Sequence, residues 1–221
     1  MGFSPDFVTE HRRVLPGNDF ITWLTDRAAR ATPLYALSKS SEAAAMTVFF
    51  RLASASWVLV AAWILFVILA YLLVGSRRIP FGASYVKNIS GVPVLDTRFA
   101  FRADQGAAAL QALGEVGRRH HAYFQIADLG FVLVYVVALP GALFALFGNA
   151  IPAMVPVLGA LADLVEDFGI LLALHKFPAP ARSALAAAGA AGVVKHICFW
   201  PSLIAVVAGV GFVLIRRFFH A

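Results

Sequence analysis

From Leu52 to Ser76 the chain carries no charged residue, a run of 25 positions flanked by Arg51 and Arg77. About 20 predominantly apolar residues cross the hydrocarbon core of a bilayer, so this run predicts a first membrane helix over 52–76, with Trp57 and Trp63 toward one interface. A second uncharged run, Leu129 to Ala162, is 34 residues long, too long for one span. Gly148 and Asn149, followed by Pro152 and Pro156, divide it into a helical hairpin over about 126–147 and 152–174. A last helix over 184–215 becomes strongly apolar after His196 and stops at Arg216 and Arg217; its excess length implies tilt or protrusion. The pattern predicts an all-α membrane protein: a four-helix transmembrane domain over 51–221, preceded by a polar, amphipathic extension over 1–50.

Four spans place both termini on one side of the membrane. Lys and Arg are nearly balanced between the two faces, 8 against 9 with Lys195 assigned to the fourth helix, which leaves the orientation open. Two short helices are expected in the extension, one capped at Asn18 and running through Trp23 and Leu24, the other starting at Ser40, Ser41 and Glu42. Trp23, Phe49 and Phe50 suit an interface or a partner. Asp104 to Gln125 predicts a surface helix leading into the second span, with Leu110 and Leu113 as its apolar contacts.

Composition agrees: 61% of the 221 residues are hydrophobic and 14% charged, outside the range of ordinary soluble domains, and the mean hydropathy is +0.81. The formal charge of +6 is spread along the edges of apolar runs and forms no basic stripe, so no nucleic-acid partner is expected. Anionic phospholipids at Arg77, Arg78, Arg216 and Arg217 are the expected partners of that charge. The single cysteine, Cys198, excludes an intramolecular disulfide. No apolar segment precedes Val48, Asp6, Glu10, Asp19 and Asp26 interrupt any transit-peptide pattern, and Asp6 breaks a myristoylation pattern, so the start is expected to be retained and unlipidated.

The most informative positions are ionisable ones inside the apolar helices. Asp163, Glu166 and Asp167 fall near the middle of the third span, where each costs roughly 2.5–3.5 kcal/mol on insertion scales. Spacings of three and four put them on one side of the helix, turned to the bundle interior. If the third and fourth helices turn at Pro178 to Pro180, residues at equal depth have numbers summing to about 358, so Lys195 lies level with Asp163 and serves as counter-ion. The same mirror about Asn149 brings the Tyr135 hydroxyl to Asp163. Asp128, on the same face as Tyr135 but nearer the surface, is expected to pair with Arg118 or Arg119. Such a cluster acts either as a satisfied network fixing helix register or as a proton relay, ion site or head-group site.

Other chemistry finds little support. His120 and His121 point about 100 degrees apart on a helix and no residue has zinc-like spacing, so neither metal nor another cofactor is expected. Gly189 with Gly192, and Gly209 with Gly211, read as close helix contacts. Ser84 and Ser90 lie in a loop with no nucleophile-elbow context, and no phosphate-binding glycine loop occurs. The chain is therefore not expected to be an enzyme.

From Trp57 onward the chain resembles an uncharacterised family of small four-span integral membrane proteins found in bacteria and some protists. The pattern that carries the resemblance is Leu95, Asp96, Thr97 and Arg98; Leu113 and Gly114 with Gly117, Arg118 and Tyr123; Asp128 with Tyr135; Asp163 with Glu166; and Lys195. Asp167 departs from it, since Asn usually follows the glutamate. The resemblance implies the four-span fold and the polar cluster, and brings no activity.

The absence of a catalytic motif and the added tail with its aromatics point to a noncatalytic accessory subunit of a larger membrane assembly. The expected setting is an energy-transducing membrane, housing a respiratory chain or ATP synthase, such as the mitochondrial inner membrane, with the bacterial inner membrane as the alternative. The competing expectation is a small transporter or lipid-binding protein that uses Asp163, Glu166 and Lys195. A membrane enzyme acting on lipid with one of these carboxylates as base is a third.

Overall fold

The computed structural model describes residues 44–219, without the Arg217 side chain. The chain divides into two units, Met1–Met46 and Thr47–Ala221. The helix expected at Asn18 and the start of the one at Ser40 lie outside the described residues. Among those residues every element is helical.

In order, the elements are α1 (Ala44–Ala53), α2 (Ser56–Ala70), α3 (Ala83–Ser90), α4 (Ala103–Ala112), α5 (Gly114–Phe147), α6 (Ala150–His175) and α7 (Arg182–Phe219). A wider π turn over Tyr71–Gly75 prolongs α2, and a single 3-10 turn over Leu95–Thr97 lies between α3 and α4. Three helices are long and apolar enough to cross a membrane: Ser56–Gly75, Gly114–Phe147 and Arg182–Arg216. The 26-residue α6 is not among them, because Asp163, Glu166 and Asp167 interrupt its apolar sequence.

Three boundaries differ from the sequence expectation. The surface helix and the second span are not separate: α4 ends at Leu113, Gly114 takes a left-handed φ of 65°, and one 34-residue helix then runs to Phe147. Change from polar to apolar side chains at Ile126 does not interrupt backbone hydrogen bonding, whereas Gly114 does. The first span is broken near Ser54 and Ala55, since Ala55 adopts an extended ψ of 131° before α2. The stretch around Ser84 and Ser90, expected as loop, forms α3.

The α5–α6 hairpin does turn at the residues the sequence marks. Gly148 caps α5 with a left-handed φ of 62°, and the Asn149 side chain then accepts from Ile151 N at 2.9 Å, satisfying a free donor in the first turn of α6. α6 packs closely against α7, where a Cβ on Gly169 would stand 2.8 Å from the Ala184 carbonyl oxygen, and one on Gly159 would stand 2.9 Å from Cys198 Cβ. α2 lies on α5, through Phe66 and Phe131 among others.

At the end of the bundle away from that hairpin, the segment between α2 and α5 folds into a cap. Val86, Val94, Leu95, Phe101 and Leu110 bury against Ile170 of α6 and Leu185 of α7. The cap is tight: a Cβ on Gly189 would overlap the Phe101 carbonyl oxygen at 1.9 Å. This closure carries the turn containing Asp96 down onto the helices.

Candidate functional site

Below the cap, three helices and one turn contribute ionisable side chains to a single buried cluster. Lys195 from α7 is 7% exposed, and its Nζ forms ion pairs with Glu166 Oε2 at 2.6 Å and Asp163 Oδ1 at 3.0 Å, both from α6. It also donates to Asp96 Oδ1 in the turn. The Tyr135 hydroxyl donates to Asp163 Oδ2 at 2.9 Å, and Gln125 Nε2 donates to Asp167 Oδ1 at 2.6 Å. All of these residues are buried, Glu166, Asp167 and Gln125 completely.

The local reasons are simple. On α6, Asp163, Glu166 and Asp167 share one face. On α5, His121, Gln125, Asp128 and Tyr135 recur at intervals of four, three and seven, and all four are buried on the side turned to α6 and α7. α7 offers Lys195 and, one turn earlier, Gly192, which leaves room for Glu166. The cluster therefore contains five carboxyl groups, from Asp96, Asp128, Asp163, Glu166 and Asp167, and one lysine.

The lysine does not serve all five. Among the described residues, neither Asp128 nor Asp167 has an ion pair. Asp167 Oδ2, Gln125 Oε1 and both ring nitrogens of His121 have no hydrogen-bond partner. Buried unpaired polar atoms cost about 1–3 kcal/mol each, so these groups are the least satisfied part of the cluster.

Two cavities follow one another along the cleft between α2 and α7, floored by α5. The first, of about 400 Å³, ends on the cluster: buried Asp128, Tyr135, Asp163 and Lys195 belong to its lining, with the exposed Thr97 beside them. Phe66, Phe131 and Phe199 line its flank, with Phe66 and Phe131 centroids 5.2 Å apart. Its rim residues Val74 and Trp200 are exposed on the outer faces of α2 and α7, so the mouth opens sideways. The second cavity, of about 750 Å³, is wholly apolar, lined by Leu59, Trp63, Ala145, Val206 and Val210 among others. The contact of Trp63 with Phe66, 5.0 Å between centroids, marks where one gives way to the other.

Comparison with protein-family models, with curated proteins and with solved structures finds no match to this chain.

Of the residues singled out by sequence, Asp163, Glu166, Lys195 and Tyr135 meet directly, and Asp167 joins through Gln125. Asp128 is corrected: it lies buried in the cluster instead of near the surface, and no ion pair links it to Arg118 or Arg119 among the described residues. Arg118 donates to the Leu110 carbonyl at 3.2 Å and stands 3.7 Å over the Phe177 ring, which fastens α5 to the α6–α7 turn. Sequence reasoning missed Asp96, Gln125 and His121. The heptad-like recurrence of 121, 125, 128 and 135 was the available signal for the last two.

Proposed function

We propose that the chain is a four-span integral membrane protein that binds one amphiphilic molecule in the cleft between α2 and α7. The polar head meets Thr97, Asp128, Asp163 and Lys195, and the hydrocarbon tail follows the apolar cavity past Trp63. One observation carries this reading: a charge-ended cavity and a purely apolar one lie in sequence along the same sideways-opening cleft. Both volumes fall within the usual range of small-molecule pockets.

The membrane setting supports it. Only 17% of the most apolar stretch of α2 and 11% of that of α7 is buried within the protein, so both helices present apolar surface that lipid would cover. α6 counts as the fourth span on physical grounds. Its 26 residues reach about 39 Å at 1.5 Å per residue, longer than a hydrocarbon core of about 30 Å, and its carboxylates face inward. Arg77, Arg78 and Arg216 then sit at the two membrane surfaces, where anionic head groups are available.

A photoreactive lipid bearing its reactive group on the acyl chain tests the reading. Labelled peptides should contain Leu59 to Ile64 or Val206 to Val210; labelling confined to other faces of the bundle would reject it. A second reading, a noncatalytic accessory subunit, draws on the same uncovered faces of α2 and α7, which helices of a partner would cover as well as lipid does. Migration with a large assembly in a native gel favours that reading, and migration alone favours the first.

A further inference from the structure

We infer that the carboxylate cluster holds one divalent cation of calcium size, bound by Asp96, Asp128, Asp163 and Asp167 with Gln125 Oε1 as a neutral ligand. One oxygen from each of the four aspartates lies within 4.8 Å of all the others. Oxygens held within that span can reach one ion at the roughly 2.3–2.6 Å usual for calcium, whereas magnesium at about 2.0–2.1 Å demands a tighter and more regular shell. All these donors are oxygens, which selects a hard cation over zinc or copper.

Hydrogen bonding points to the same place. The Lys195 ammonium is fully engaged by Asp96, Asp163 and Glu166, which leaves Asp128 and Asp167 without a cation. Gln125 is completely buried and its Nε2 holds Asp167 Oδ1, while its Oε1, next to His121, makes no hydrogen bond of normal geometry. Asp167 Oδ2, also completely buried, is unpartnered as well. A cation between these oxygens satisfies both. The sequence marks the acidic cluster but not this ligand set, because the ligands come from a turn and two helices with no characteristic spacing.

The test is calorimetric titration of the full chain, purified in detergent and freed of metal with a chelator, against calcium chloride and then magnesium chloride. The expected result is saturable calcium binding at one per chain, roughly tenfold or more tighter than magnesium, with a raised unfolding temperature that a chelator reverses. Asp167→Asn should weaken calcium binding roughly tenfold or more, while Asp104→Asn, at an exposed carboxylate, leaves it unchanged. Absence of both heat and thermal shift in the wild-type chain overturns the inference, whatever the folding of the variant, and leaves protons as the charge that balances the cluster. Equal calcium affinity in a folded Asp167→Asn chain overturns it too.

Discussion

A Cβ on Gly192 would stand 2.7 Å from Glu166 Oε1, so the lysine-bound carboxylate of α6 is seated directly against the backbone of α7. The Glu166 side chain is fully buried and its other oxygen is held by Lys195 at 2.6 Å, which leaves it little room to withdraw. Gly192→Ala should therefore destabilise the protein by about 1–3 kcal/mol, as overpacking of a filled interior does. Thermal unfolding in detergent reads this directly. Gly211→Ala, where a Cβ meets nothing within 4 Å, should leave the unfolding temperature nearly unchanged.

Lys195 is the common partner of three carboxylates, and removing it strands all of them. Lys195→Met is expected to cost about 3–5 kcal/mol, the range for a buried ion pair that loses one member. Adding Glu166→Gln should recover part of that loss, with a coupling of about 0.5–3 kcal/mol in a double-mutant cycle. Strictly additive effects would mean that the two side chains do not interact in the folded protein.

The Tyr135 hydroxyl has Asp163 Oδ2 as its acceptor, 2.9 Å away. Tyr135→Phe keeps the ring in its contacts with Phe131 and Phe199 and removes only that bond. A loss of about 1.5–3 kcal/mol is expected for a bond to a charged acceptor, measured by chemical unfolding.

How far the sequence disclosed this arrangement follows from what each residue costs in a membrane. Asp163, Glu166 and Lys195 are expensive there, so their positions stand out, and helix rise alone sets Lys195 and Asp163 at one depth. Gln125 and His121 are neutral and fall in a stretch polar enough to resemble a surface helix. Their burial depends on Gly114 starting a helix that runs unbroken through the apolar stretch to Phe147. Asp96 was not legible as a site residue from helix geometry at all. It reaches Lys195 because the cap closes, and closure depends on contacts such as Phe101 against Gly189, which no local pattern encodes. The cleft likewise arises from how α2 and α7 rest on α5, a matter of packing and not of periodicity.

If α6 crosses the membrane, the two ends of that helix lie on opposite sides. Single cysteines placed at Asn149 and at Ala179, both exposed, in a chain carrying Cys198→Ala, provide the check. A membrane-impermeant thiol reagent applied to sealed, oriented vesicles should label one and spare the other. Labelling of both from the same side would leave three spans and remove α6 from the bundle's membrane-crossing set.

The amphiphile reading is tested most directly by native mass spectrometry of the detergent-purified chain beside an Ala70→Phe variant. Ala70 lines the charge-ended cavity without belonging to the cluster, so the larger ring fills the cavity and leaves every ion pair in place. The account predicts a lipid-sized adduct on the wild-type chain that persists through delipidation and is lost in the variant, at similar unfolding temperature. A wild-type chain without any adduct, or an adduct retained equally by Ala70→Phe, would contradict it.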